Sequence, residues 1–368
     1  MEPSGFPSPD HRSLPTGRTV SDPLDGTPAK RAVTGRLAPS PTGAQHFGNA
    51  RTFLLAWLSL RSQQGRVILR IEDIDSPRVK PWAQQQAIDD LRWLGLDWDE
   101  GPDVGGPHAP YVQTERRALY EDALRTLQLA DGVYPCVCSR SDVAAAASAP
   151  HEGGEGPIYP RTCQAHTAAT AEQLGGQPYA WRLRTDDRLL SWNDLVQGGQ
   201  SGHVASELGD FIVAKADGSP AYQLAVVVDD HAMGITEVVR GSDLMPSTLR
   251  QLFLFDQWGW EPPRYGHVPL VVGPDGRRLA KRHGDTRLST LRAAGGSAER
   301  LIGLLAWSAG LLDRPEPVTA HELLCDFAQF PPLGDGPFVF DATLWWPWLC
   351  GESATAPSPR RSHAPPRR

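Results

Sequence analysis

The sequence predicts an α/β fold organised around a parallel sheet, and three observations predict it. "VTGRLA", from Val33, reads as a short strand; a segment with Phe53, Leu54, Trp57, Leu58 and Leu60 near helical spacing follows and stops at Gly65. "RVILRIEDID", from Arg66, alternates Val67, Leu69 and Ile71 as a second strand. Strand, helix and strand within about forty residues make a βαβ unit, whose ligand is expected at the carboxyl ends of the strands.

The pattern continues along the chain. "WAQQQAIDDLRWLGL" and "TERRALYEDALRTLQLADG" read as helices. "VASELGDFIVAKADGSPAYQLAVVVDD" reads as two strands joined by an Asp217-Gly218 turn. "PSTLRQLFLFDQWGW" reads as a helix opened by Pro246 and Ser247, and "HVPLVVGPDGRRLAKR" as a strand and turn. Beyond residue 286 a mostly helical piece is expected, with Thr319 and Glu322 spaced as a capping box, Cys325 on the core face of a helix and "LWWPWL" as core.

Composition narrows the classes. The 368 residues are 40% hydrophobic and 21% charged, the profile of a globular chain with a sizeable core. A net charge of −7 gives no whole-chain footprint of nucleic-acid binding, although a local basic face remains compatible with it. There is no run of eighteen apolar residues and no apolar segment in the first thirty-one, so neither a membrane span nor a secretory signal is expected and the cytoplasm is the expected location. Five cysteines, two of them the close pair Cys136 and Cys138, suit a reducing compartment and suggest metal before disulfide.

The candidate chemistry begins in the loop after the first strand. Pro39 and Pro41 stiffen it, Gly43 and Gly48 permit close backbone approach, and a helix starting near Gly48 presents a positive dipole end to an anion. His46 and Asn49 can donate to phosphoryl oxygens whose charge grows during a displacement. A second phosphate-handling element, "GRRLAKRHGD" from Gly276 to Asp285, carries Lys281 in a basic, glycine-flanked loop. Together these loops resemble the HIGH and KMSKS signatures of class I aminoacyl-tRNA synthetases.

"GRLAPSPTGAQHFGN", "RIEDID", "AYQLAVVVDD", "EVVRGSDL" and "RLAKRHGD" occur in that order between Arg36 and Asp285 and resemble the glutamyl branch of that family. Glutamate needs cations for two carboxylates, ideally arginine forks, and an anion for its amine. By resemblance, Arg36 and Arg240 engage carboxylates, Leu37, Ala38, Pro39 and Ser40 line the site, Glu72 meets the ammonium, and Tyr222 hydrogen-bonds the substrate. Glu72 could alternatively pair with Arg70. His46, Gly48, Asn49 and Lys281 are assigned to ATP, with Mg2+ accompanying the nucleotide. Two departures stand out: the second loop reads Arg278-Leu279-Ala280-Lys281-Arg282, losing a serine, and the tetrad ends in Asn49 where the family has histidine.

About eighty residues follow Asp285, too few for a long anticodon-binding region, so the organisation resembles the shortened glutamyl-queuosine tRNA(Asp) synthetases. That resemblance implies tRNA-independent activation of L-glutamate with ATP and its transfer to the queuosine base in the anticodon of tRNA(Asp), by a monomer. A truncated glutamyl-tRNA synthetase charging a 3′ end, or a non-catalytic zinc-containing RNA-binding module, are the alternatives. The implied fold is a Rossmann-like catalytic domain with an inserted zinc-containing acceptor-type subdomain and a small helical C-terminal piece. The expected divisions are a disordered tail at 1–31, the first catalytic half at 32–130, the zinc insert at 131–200, the second half at 201–285, a helical region at 286–350 and a basic disordered tail at 351–368.

The insert carries "YPCVCSR" and "GPIYPRTCQAH". Three thiolates, Cys136, Cys138 and Cys163, with a fourth donor would form one closed, structural Zn2+ site. Resemblance names Tyr159 as the fourth ligand, general ligand preference offers His166, and unmetallated cysteines are the remaining possibility.

Overall fold

The computed structural model describes residues 32–41, 43–74, 79–146, 158–277, 279, 286–333 and 336–357. The expected tail at 1–31 and the end of the one at 351–368 lie outside these residues.

In chain order, strand β1 (Thr34–Leu37) leads into helix α1 (Phe47–Ser62), strand β2 (Arg66–Leu69) and helices α2 (Ala83–Trp93) and α3 (Arg117–Leu129). Then come β3 (Val133–Cys136), α4 (Arg140–Ala146), β4 (Ala180–Leu183), the hairpin β5 (Leu189–Asp194) and β6 (Gly198–His203), the single turn α5 (Val204–Glu207), and β7 (Phe211–Ala214). Next are α6 (Tyr222–Ala232), β8 (Glu237–Gly241), α7 (Met245–Gln257), β9 (Arg264–Val268) and β10 (Val271–Val272). The chain continues through α8 (Leu288–Ala293), α9 (Ala298–Ser308), α10 (Ala320–Asp326), β11 (Phe338–Val339) and α11 (Ala342–Leu349).

The central sheet has the order β2-β1-β8-β9 and all its pairings are parallel. β1 and β8 are neighbours in the middle of the sheet, yet the chain leaves β1 for β2 on one side and β8 for β9 on the other. Their carboxyl ends therefore flank the crevice at which open parallel sheets bind ligands. β3, β4 and β7 form a separate antiparallel sheet, and β5 pairs with β6 alone.

The stretch expected as a second strand, "AYQLAVVVDD", is instead α6. Leu224 through Asp230 are all buried, so the helix is enclosed on nearly every face and Leu224 to Val228 form an unbroken apolar run. Such a helix and a fully buried strand give the same continuous apolar run, and periodicity cannot separate them.

The C-terminal helices close one core cluster with α1. Of "LWWPWL", expected as core, Trp345, Trp348 and Leu349 are buried and Trp345 packs 5.5 Å from Trp307, whereas Leu344 is exposed and Trp346 half-buried, since a helix turns only one face of the run inward. The Thr319 hydroxyl accepts from the Glu322 backbone amide at 3.1 Å while Glu322 Oε2 accepts from Thr319 N at 2.8 Å, completing the expected capping box. Cys325, expected in the core, is exposed. α10 buries Ala320 and Leu323, and a residue two positions past Leu323 is turned about 200° away from it. None of the helices described is long and apolar enough to cross a membrane.

Two positions yield stability predictions. A Cβ on Gly303 of α9 would lie 1.7 Å from the Glu316 backbone oxygen, so Gly303→Ala should cost at least about 3 kcal/mol in urea unfolding. Asp90 is 0% exposed, neither carboxylate oxygen has a hydrogen bond, and Arg292 approaches only to 3.6 Å. Burial, partly offset by Arg292, raises its pKa from 3.8 to about 6. A carboxyl whose folded pKa lies above its unfolded one favours the fold at low pH and loses that advantage as pH rises through 6. Asp90→Asn should therefore raise the free energy of unfolding in urea by about 2 kcal/mol more at pH 8 than at pH 4.5.

Candidate active site

A cavity of about 430 Å3 opens at the carboxyl ends of β1 and β8. Its wall brings together Arg36, Ala38, Glu72, Tyr222 and Arg240 from the expected glutamate set with His46, Gly48 and Asn49 from the expected nucleotide set. Leu37, Pro39 and Ser40 are not part of that wall. Leu37 and Pro39 serve through their carbonyls, which accept from Arg70 N at 2.9 Å and Glu72 N at 3.1 Å, and Ser40 is exposed beside them.

The charged groups form a neutralised buried lattice. Arg36 is 6% exposed and its Nε lies 3.4 Å from Asp230 Oδ1. Asp230 is held in turn by Arg70 Nη1 at 2.7 Å, and Arg70 Nη2 holds Glu72 Oε1 at 2.8 Å. Burial alone would lower the Arg70 pKa, but Asp230, Glu72 and Asp229 outweigh it and drive it upward, so this cation is permanent. The pairing of Glu72 with Arg70 that the sequence allowed is thus present, and it coexists with a place for Glu72 in the cavity wall. Arg70 orients one carboxylate oxygen and leaves Glu72 able to face a substrate amine.

Tyr222 opens α6 at the wall. Burial, then the neighbouring Glu72 charge, raise its phenol pKa, which keeps the hydroxyl protonated as a donor. Arg240, at the end of β8, is 4% exposed and donates to Gln251 Oε1 at 2.9 Å and Thr248 Oγ1 at 2.7 Å. Within that wall, Arg36, Arg240 and Glu72 supply two cations and an anion, the inverse of an amino acid with two carboxylates and one amine, and Asp243 adds a second carboxylate to the lining.

The His46-Phe47-Gly48-Asn49 tetrad turns out to be a capping box. His46 is the N-cap of α1: its Nδ1 accepts from Gly48 N at 3.2 Å, and Asn49 Oδ1 accepts from His46 N at 3.3 Å. A neutral imidazole that accepts at Nδ1 carries its proton on Nε2, and an amide that accepts at Oδ1 keeps its NH2 group as a donor. The cap therefore sets which ring nitrogen and which amide atom are donors. Gly48 suits the fit, because a Cβ there would lie 3.2 Å from the imidazole and the ring would have to give by a few tenths of an ångström.

The remaining wall residues include Thr52, Phe53, Gly241, Asp243, Leu244, Leu270 and Leu279. Thr52 and Phe53 sit three and four positions after Asn49, a spacing that shares a helix face and was legible in the sequence. Asp243 lies within "EVVRGSDL". Leu270 comes from the link between β9 and β10, where nothing in the sequence singles it out. Lys281 lies outside the described residues, as do Arg278, Ala280 and Arg282.

Away from this cavity, the sulfurs of Cys136, Cys138 and Cys163 lie within 4.8 Å of one another. The Tyr159 hydroxyl is 3.2 Å from Cys136 Sγ and 3.7 Å from Cys138 Sγ. His166 is elsewhere engaged, with Nδ1 3.1 Å from the Pro135 carbonyl oxygen. Burial pushes the Cys136 thiol up, but bonds from Tyr159 and Arg182 outweigh it and bring the pKa below the usual thiol value. The donor set of three thiols and a phenol hydroxyl, closed to within hydrogen-bond distances, fits a four-coordinate thiophilic ion.

Comparison with known proteins agrees with this geometry. Residues 32–309 match the family "tRNA synthetases class I (E and Q), catalytic domain". The chain is 53% identical over 304 residues to a Glutamyl-Q tRNA(Asp) synthetase of Symbiobacterium thermophilum, covering 81% of this chain and 94% of that protein. It is 53% identical over 309 residues to the Glutamyl-Q tRNA(Asp) synthetase of Rhodopirellula baltica, covering 80% and 90%. The crystal structure of a glutamate tRNA ligase from Elizabethkingia meningosepticum in complex with its amino acid superposes with a TM-score of 0.72 at 28% identity, covering 86% of this chain and 69% of that one. The chain belongs to the class I tRNA synthetases of the glutamyl type and, within them, to the glutamyl-Q tRNA(Asp) synthetase family.

Proposed function

We propose that this protein activates L-glutamate with ATP, without needing tRNA, and transfers the glutamyl group to the queuosine base in the anticodon of tRNA(Asp). The observation that carries the reading is the single cavity in which Arg36, Arg240 and Glu72 meet the donors at the start of α1. Arg36 and Arg240 take the glutamate carboxylates, Glu72 takes the ammonium, and Tyr222 donates to the substrate. Ala38 lines the approach, Leu37 and Pro39 support it by holding the backbone amides of Arg70 and Glu72, and Ser40 lies beside it.

In the first step the α-carboxylate attacks the α-phosphorus of ATP, forming glutamyl-adenylate and releasing pyrophosphate. His46 Nε2–H, the Asn49 amide and Lys281 stabilise charge on the phosphoryl oxygens, and Gly48 lets the nucleotide approach the positive end of α1. Mg2+ bound to ATP neutralises the polyphosphate. In the second step a hydroxyl of the queuosine cyclopentene ring attacks the anhydride carbonyl and AMP leaves, with no covalent enzyme intermediate. The 53% identity to a glutamyl-Q synthetase matched over 94% of its length, against 38–43% to glutamate–tRNA ligases matched over 58–65% of theirs, favours the anticodon base over a 3′ end as acceptor.

Glutamate-dependent exchange between ATP and labelled pyrophosphate tests the activation step. Exchange should proceed without RNA and should fail with aspartate or glutamine; exchange that needs tRNA contradicts the reading.

The same proposal assigns residues 131–200 as an inserted subdomain in which Cys136, Cys138, Cys163 and Tyr159 hold one zinc ion. That ion joins two chain segments and supplies structural closure with no open position for chemistry. Tyr159 is favoured over His166 because its hydroxyl lies among the sulfurs. Purified protein should contain one zinc per chain. Cys163→Ser should lose it, Tyr159→Phe should weaken retention against a chelator about tenfold or more, and His166→Ala should leave retention unchanged.

A further inference from the structure

Arg240 does not stand in the cavity wall unaided. His267 of β9, 0% exposed, presents Nε2 to it: Arg240 Nε is 3.1 Å from that atom and Thr248 Oγ1 is 2.9 Å from it. On its other edge, His267 Nδ1 lies 2.5 Å from Asp194 Oδ2. Asp194 is 2% exposed and belongs to the β5–β6 hairpin, outside the parallel sheet. Its second oxygen, Oδ1, accepts from His267 N at 3.0 Å, Val196 N at 3.0 Å and Gln197 N at 2.9 Å. The hairpin is further tied to β9 by Leu195 N donating to Tyr265 O at 2.8 Å and Gln197 Nε2 donating to His267 O at 2.9 Å.

The chemistry of these donors admits one protonation pattern. Arginine has only N–H donors, so Nε2 of His267 must be the bare, accepting nitrogen. The ring proton is then on Nδ1, where it is donated to Asp194. A carboxylate that fixes the tautomer of a histidine thereby decides what the far nitrogen can do. We propose that Asp194 and His267 are positioning residues for amino-acid recognition: Asp194 holds His267 in its Nδ1–H form, and the bare Nε2 holds the Arg240 guanidinium in the orientation that receives a substrate carboxylate. The inference rests on the reading that Arg240 binds glutamate. It makes a hairpin beyond the catalytic sheet a determinant of affinity for the amino acid.

Asp194→Asn tests it, because asparagine retains an oxygen for the three backbone amides while facing an NH2 group toward Nδ1. The ring must then carry its proton on Nε2, against Arg240 Nε–H. In glutamate-dependent pyrophosphate exchange, KM for glutamate should rise about 10- to 100-fold, the range seen when the partner orienting a ligand-holding side chain is lost. KM for ATP and the unfolding midpoint should stay near the wild-type values. His267→Gln, whose Oε1 reaches the position of Nε2, should restore most of the glutamate affinity, whereas His267→Asn, which reaches only the Nδ1 position, should not. Imidazole 15N shifts, with the His267 signal assigned from its loss in His267→Gln, should show Nδ1–H in the wild type and Nε2–H in Asp194→Asn. Those shifts need no substrate, so they judge the network even if the wild type shows no glutamate-dependent exchange, a result that would fault the functional reading. An Nε2–H wild type, an unchanged glutamate KM in Asp194→Asn, or equal rises in both KM values would overturn the proposal.

Discussion

Arg36→Ala should lower kcat/KM for glutamate in pyrophosphate exchange by on the order of a hundredfold to a thousandfold while leaving KM for ATP within a few-fold of wild type. Removing one partner of a buried charge pair costs about 2–5 kcal/mol, and each 1.4 kcal/mol is about a factor of ten. Asp230, the protein partner of Arg36, remains paired with Arg70 at 2.7 Å, so the fold should tolerate the change. Arg36→Lys should recover part of the loss, since it restores charge without the two-point geometry. An unfolding midpoint that falls in proportion to activity would make Arg36 a structural residue only.

His46→Ala should reduce kcat for exchange by about a hundredfold to a thousandfold, the scale of losing one donor to a developing oxyanion. It should also destabilise the protein by about 1 kcal/mol, because it removes the N-cap of α1. The two effects separate in His46→Asn. Asparagine caps helices well and should restore stability, but it has no group at the position of Nε2 and should leave exchange impaired. If His46→Asn restored both, the histidine would act as a cap and nothing more.

His46, the observed N-cap of α1 and the proposed donor to the nucleotide, marks how far residue types lead and where they stop. The tetrad is visible as an anion site from its glycine, its histidine and the helix that follows. That Nδ1 is consumed by the Gly48 amide, and that the proton is consequently on Nε2, depends on the turn's geometry and is not encoded in the spacing of four letters. The βαβ unit and the glutamate motifs were readable because local pattern and ligand chemistry agree there. α6 was misread as a strand because burial on nearly all faces erases the helical period from "AYQLAVVVDD". Cys325 was misplaced by assuming that an amphipathic helix turns its cysteine inward, whereas α10 is anchored by Ala320 and Leu323. Asp194 and His267 carried no signal at all: they lie 73 positions apart, and only the seating of the hairpin on β9 brings them together.

The cysteine cluster sits between these cases. The Cys-x-Cys spacing pointed to metal, but that the Tyr159 hydroxyl lies beside the sulfurs while His166 Nδ1 lies beside the Pro135 carbonyl is a matter of three-dimensional placement that the spacing does not encode. Leu270, in the link that follows β9, belongs to the cavity for the same reason.

The central claim concerns the acceptor, and transfer of labelled glutamate tests it most directly. Four substrates suffice: tRNA(Asp) with queuosine or with guanosine in its anticodon, each with and without an intact 3′ terminal adenosine. The account predicts labelling of both queuosine-containing forms, with the label recovered in the anticodon-loop fragment after ribonuclease digestion, and none of the guanosine forms. Labelling that depends on the 3′ adenosine and ignores queuosine would contradict it.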